Sequence, residues 1–93
     1  PDEFALHQNY PNPFNPTTTI RYDIPMQSRV LIQVFDIQGR LVKTLVQNIE
    51  TPGKKSIVWD ATNHIGEPVS AGMYLYLIQA DGFKETRKML LLK

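Results

Sequence analysis

No cysteine occurs anywhere in the 93 residues. That excludes thiol catalysis, cysteine-ligated zinc and iron–sulfur clusters, and it leaves stability to a packed core instead of disulfides. Long apolar runs are missing too, and none approaches the roughly 18 residues that a spanning helix needs. Neither sign of charge dominates: ten basic residues meet nine acidic ones for a net charge of +1. Such a balance offers no broad electrostatic footprint for nucleic acid or an anionic membrane. No stretch sustains a helical period, so helix content is expected near zero. The chain opens at Pro1 with neither Met nor signal peptide, which reads as a piece of something longer.

What is present is a globular composition, 42% hydrophobic and 20% charged, at the length of one domain. The pattern is strand after strand. Residues 18–24 alternate, with Ile20, Tyr22 and Ile24 on one face and Thr19, Arg21 and Asp23 on the other. Residues 29–37 repeat the alternation through Val30, Ile32 and Val34. The stretch Asp36-Ile37-Gln38-Gly39-Arg40 is then a hairpin turn, with Gly39 the positive-φ residue. Residues 41–46 return, Thr51-Pro52-Gly53 turns again, and residues 54–60 form a strand that ends at Trp59 and Asp60. Residues 62–68 are a loop with Gly66 at its tip. A last hairpin joins residues 73–80 to residues 83–92 through Asp81-Gly82. These are six strands, with a short seventh over residues 3–8. Their spacing predicts an antiparallel, all-β, immunoglobulin-like sandwich. The expected organisation is one sandwich over residues 6–93, with residues 1–5 a linker remnant.

The run NYPNPFNPTTTI at residues 9–20 places prolines at 11, 13 and 16, which forbids both a helix and the interior of a sheet. Three uses compete for it. A linker would be less specific in composition, and a ligand for a proline-reading module would want basic neighbours and exposure. A rigid corner built from Asn12, Pro13, Phe14, Asn15 and Pro16, with asparagines capping turns and Phe14 tucked against the sheet, is favoured.

Chemistry-bearing residues form no recognisable constellation. His7 and His64 are the only imidazoles, and neither pairs in sequence with a nucleophile. Ser28, Ser56 and Ser70 lie outside any Gly-x-Ser-x-Gly elbow. Asp23, Asp36, Asp60 and Glu67 fall where turns or strand ends explain them. Asp60, Asn63 and His64 around Gly66 imitate an oxygen-rich cation loop, but turn capping accounts for them more simply. No enzyme, cofactor, metal site, nucleic-acid partner or small-molecule substrate is therefore expected. Gly72 reads as a backbone position without room for a side chain, and Tyr74 as packed inward.

Two strands carry apolar residues on both faces: Met73-Tyr74-Leu75-Tyr76-Leu77-Ile78, and Met89-Leu90-Leu91-Leu92 just before Lys93. Each is either clamped inside the sheet or covered by a partner. On the sharper reading, Lys88, Met89, Leu90, Leu91, Leu92 and Lys93 form a recognition strand. It would be offered by strand addition, with the lysines limiting self-association.

Taken in order, PNPFNP, the D-x-x-G turn, the Trp-Asp strand end, G-x-P-x-x-x-G-x-Y and the final K-x-x-x-x-K resemble the type A C-terminal sorting domain of type IX secretion substrates. The middle of the chain is similar to the immunoglobulin-like domain of the flagellar hook-capping protein. Members often carry a glycine after the Trp-Asp pair and an acidic residue two positions on, where this chain has Ala61 and Asn63. The resemblance implies a non-catalytic address on an N-terminally attached cargo. That cargo would cross the periplasm, be recognised by the outer-membrane translocon, be released by a sortase-like peptidase near Pro1, and end at the surface or in the medium. Rival readings are an extracellular spacer or carbohydrate-binding module, which wants a row of exposed aromatics, and a hook-cap-like assembly domain.

Overall fold

The computed structural model describes all 93 residues and contains seven strands and no helix. They are β1 (Ala5–Leu6), β2 (Thr18–Ile24), β3 (Ser28–Asp36), β4 (Leu41–Glu50), β5 (Gly53–Trp59), β6 (Gly72–Ala80) and β7 (Phe83–Leu91). One sheet runs β1-β2-β5 and the other β4-β3-β6-β7, with every pairing antiparallel. Two facing antiparallel sheets of three and four strands make the expected immunoglobulin-like sandwich.

The period-2 alternation decides which faces meet. Ile20, Tyr22 and Ile24 of β2 and Val30, Ile32 and Val34 of β3 are all buried, while Arg21 and Arg29 between them are exposed. Register carries the same parity across the larger sheet, where Val30, Ile32 and Val34 stand opposite Ala80, Ile78 and Tyr76. Trp59, fully buried, fills the end of the core that these faces enclose. No buried side-chain nitrogen or oxygen lacks a hydrogen-bond partner, so the core carries no desolvation penalty of that kind.

β4 continues to Glu50, four residues beyond the expected Val46. Two bulges in β3–β4, at Ile32/Gln33 and Val34/Phe35, rephase the pairing. β4 is also an edge strand, so exposed Gln47, Asn48 and Ile49 keep their backbone bonds while breaking the apolar pattern. β1 is shorter than expected, and Phe4 just before it stacks on Phe83 at 5.5 Å.

The β3–β4 turn is built as the sequence implies. Gly39 sits at φ 84° and donates its N–H to the Asp36 carbonyl. The Asp36 carboxylate accepts from the backbone N–H of Gln38 and Arg40 and pairs with the Arg40 guanidinium. Those bonds, the Arg40 backbone N–H foremost, hold its carboxyl below the usual range.

Register also sorts the connections into two ends. Ala5 stands beside Asp23, Val30 beside Ala80 and Ser28 beside Glu50. The first strand therefore begins at the end that carries the β2–β3, β4–β5 and β6–β7 connections. Residues 11–17, the β3–β4 turn, the loop from Asp60 to Ala71 and the end of β7 gather at the opposite end.

Candidate functional site

The motif residues, scattered through the sequence, meet at that second end. Phe14 is buried and lies 5.8 Å from Trp59, whose ring meets Tyr74 edge-on at 5.3 Å. These three aromatics close the core beneath the proline run. Edge-to-face pairs of this kind add about 0.5–1.5 kcal/mol to the area they bury. Prolines 11, 13 and 16 and Asn15 line the outside of the corner, exposed. The Tyr10–Pro11, Asn12–Pro13 and Asn15–Pro16 bonds are cis.

The corner also closes the free edge of β7. Asn12 accepts the Leu90 N–H through Oδ1 at 3.0 Å, and Phe14 donates its N–H to the Leu90 carbonyl at 3.0 Å. Leu92 returns its N–H to the Phe14 carbonyl at 2.9 Å, which makes a short parallel pairing. Upstream, Gln8 donates to the Lys88 carbonyl and Arg87 donates to the Leu6 carbonyl. A strand offered at Leu90 and Leu92 would therefore have to displace residues 12–14. Further along, the register turns the backbone groups of Lys84 and Thr86 outward, where no strand lies beside them.

Within the expected recognition strand the side chains divide by parity. Met89 and Leu91 are buried, and Leu91 registers with Gly72 and Met89 with Tyr74. Lys88, Leu92 and Lys93 are exposed and Leu90 half-buried. Gly72 corrects the sequence reading: a side chain there would meet nothing within 4 Å. Its backbone is the reason for glycine, since φ is 146°, a conformation L-residues rarely adopt.

Gln8, Asn9 and Thr18, which the sequence reading did not single out, anchor the corner together with Tyr76, which it expected to pack inward. Buried Asn9 donates through Nδ2 to Thr18 Oγ1 and to the Pro11 carbonyl, which also accepts from Thr18 Oγ1. The Asn9 N–H donates to the Tyr76 hydroxyl, which donates onward to the His7 carbonyl at 2.7 Å. Burial pushes the Tyr76 hydroxyl up to about 12. The only sequence signal for this network was the repeated asparagine ahead of each proline, which pointed to turn capping.

The loop after Trp59 is held by its own side chains. The Asp60 carboxylate accepts from the Thr62 hydroxyl and backbone N–H and lies near Lys43. The Thr62 hydroxyl bond, aided by the Lys43 charge, lowers its pKa. Asn63 Oδ1 accepts from the N–H groups of Ile65 and Glu67, which folds the loop around Gly66 at φ 85°. Trp59 Nε1 donates to the Thr62 carbonyl. Asp60 and Asn63 thus spend their oxygens on turn capping. Ala61 sits buried at φ 63°.

On the outside of the three-stranded sheet a shallow cleft collects His7, Arg21, Asp23, Lys54, Lys55 and Ser56. His7 Nε2 lies 3.2 Å from the Asp23 carboxylate, but no hydrogen bond joins Ser56 to His7. Of the aromatic residues only Tyr10 is fully exposed. A sugar-stacking row is thus absent.

The fold has relatives among solved structures. Latent PorU from Porphyromonas gingivalis superposes with a TM-score of 0.76 at 22% identity, over 97% of this chain and 9% of that one. PorZ, a surface component of the type IX secretion system of the same organism, gives 0.66 at 20% identity, over 99% of this chain and 12% of that one. FlgD from P. aeruginosa gives 0.63 at 22% identity, over 83% and 66%. At these identities the likeness is one of fold, and this chain spans about a tenth of the first two. No curated protein matches in sequence. Residues 8–92 match the secretion system C-terminal sorting domain, and the chain belongs to that family as a type IX sorting domain of a secreted or cell-surface protein.

Proposed function

We propose that these residues act by binding and not by catalysis, as the address that the outer-membrane type IX translocon reads on an N-terminally attached cargo. The reading rests on one observation, the convergence of the motif residues at the end of the sandwich opposite Ala5. Cargo joined ahead of Pro1 extends from the other end and leaves this one clear. Met89 and Leu91 hold the last strand in the core, and Lys88, Leu90, Leu92 and Lys93 are the groups it presents. A sortase-like peptidase would cut ahead of β1, outside the hydrogen-bonded unit.

The test is a transplant. Residues 1–93 are fused behind a signal peptide and a fluorescent reporter in a host with type IX secretion, beside the reporter alone and beside Lys88→Ser/Lys93→Ser. Reporter reaching the surface or medium only with the domain attached is the expected result. A reporter held in the periplasm although the domain is folded would sink the sorting reading.

A further inference from the structure

The four-stranded sheet has a second apolar face that no part of the chain covers. Its inner face is the core. On its outer face the register aligns Leu41, Phe35 and Leu75 in one cross-strand row, with Met73 beside Leu90 in the next and Leu77 beside Gln33 behind them. Leu41 and Met73 are 51% and 41% exposed, and the others are half-buried. The corresponding face of the three-stranded sheet bears Arg21, Asp23, Lys54 and Ser56, an ordinary solvated surface. Two-sided apolarity of β6 is thus explained by half: one side is core, and the other is open.

Along its strands the charge on this face is of one sign, with Asp81 of the β6–β7 turn at the edge beside Arg29 and Lys84. Arg29, Lys84 and Lys88 all point outward from it, and none of the outward positions of its four strands is Asp or Glu. Apolar rows lie toward the end where the motifs meet, and the cations Arg29 and Lys84 lie toward the end where β1 begins. We infer that this face is a docking surface for a protein whose contact region is apolar at its centre and carries carboxylates at its rim. The inference rests on the sorting reading, and the partner belongs to the secretion machinery.

Three features of the molecule favour that occupant. A second copy laid face to face would bring three cations on each strand surface together, with Asp81 at the turn the one carboxylate beside them. Cargo is disfavoured because the chain ahead of Pro1 leaves from the end away from the apolar rows. A membrane would be better served by protruding apolar side chains than by a flat floor sunk to half exposure. Four strands of about nine residues give a face roughly 30 Å by 15 Å. That is about 450 Å² per partner, in the range of weak, transient contacts and not permanent ones. A cargo address must be let go after use.

The experiment uses the reporter fusion and photo-crosslinking. Leu75→Thr/Leu77→Thr removes the apolar centre while keeping β-forming residues, Lys88→Glu/Arg29→Glu reverses the rim, and Val58→Thr on the outside of the smaller sheet is the control. Melting of each purified domain is recorded beside export. Export of both face variants should fall about tenfold or more, as for loss of an interface centre, while Val58→Thr matches the parent. The charge variant decides the matter if the threonine pair fails to fold. A photoreactive phenylalanine at Gln33 should give a protein adduct in exporting cells, and one at Arg21 none. An adduct of twice the fusion's own mass, or one with lipid alone, overturns the assignment, as does full export of both face variants. Failure of the parent fusion to be exported would instead remove the sorting reading, and this inference with it.

Discussion

The two ends of the sandwich are closed by different means. Where β1 begins, the connections are tight and local: residues 25–27, 51–52 and 81–82 join strands that are neighbours in sequence. The Phe4–Phe83 stack, the Tyr22–Glu50 hydrogen bond and the His7–Asp23 contact reach across. At the other end two local turns remain, but the corner and the core beneath it are non-local. Phe14 pairs with Leu91, Asn12 caps Leu90, and Trp59 is gripped between Phe14 and Tyr74. The first end is stable because its turns suit their residues, and the second because distant residues fit together. Mutation should therefore be felt far more at the second end.

Trp59→Ala should show the largest loss, about 3–5 kcal/mol, because it opens a cavity where three aromatics meet. Chemical denaturation would measure it, and a loss under about 1 kcal/mol would erase the contrast between the ends. Asn9→Ala comes next. It removes the Nδ2 donor that the Thr18 hydroxyl and the Pro11 carbonyl share, at a cost of about 1–3 kcal/mol. Protection of the Leu90 and Leu92 amides from hydrogen exchange should fall with it, and unchanged protection would show that the corner holds without Asn9.

Two of the three buried tyrosines compare the ends in another way. Tyr22, raised above its ordinary range by burial and then by its bond to Glu50, lies in the half where β1 begins. Tyr76, raised by burial, anchors the segment leading to the corner. Each folded value lies above the unfolded one of about 10, so their contribution is complete below pH 10 and is lost as pH rises through the folded values. Stability should fall on the alkaline side of pH 10. Tyr22→Phe and Tyr76→Phe should each flatten that fall, and a pH profile left unchanged by both would remove these two tyrosines as its cause. The smallest effect is expected from Ala61→Gly. Relief of a left-handed backbone is offset by loss of a buried methyl, which leaves a gain of no more than about 1 kcal/mol.

The same contrast explains what could be read in the chain beforehand. Alternation in Ile20, Tyr22, Ile24 and in Val30, Ile32, Val34 survives into the structure because a strand's facing is a local property. Gly39 and Asp81-Gly82 mark their turns for the same reason. The partnership of Asn12 and Phe14 with Leu90 and Leu92 leaves no period, since it joins backbone groups almost eighty residues apart. Asparagines ahead of prolines could be assigned to capping, but nothing local says that Asn12 caps another strand's N–H. The end of β4 was lost to its position at an edge, where Gln47 and Asn48 are tolerated. Gly72 was misread as crowded because sequence shows a missing side chain but not the angle that excludes one.

The pairing of residues 12–14 with the end of β7 also bears on manufacture. Neither partner can find the other until synthesis has passed Leu91, and a product broken off before Met89 leaves Tyr74 and Gly72 without their β7 partners. Closure of this end therefore waits until both segments have been made. An export label with this property is complete only on a chain that carries both, so the fold doubles as an inspection of its own integrity.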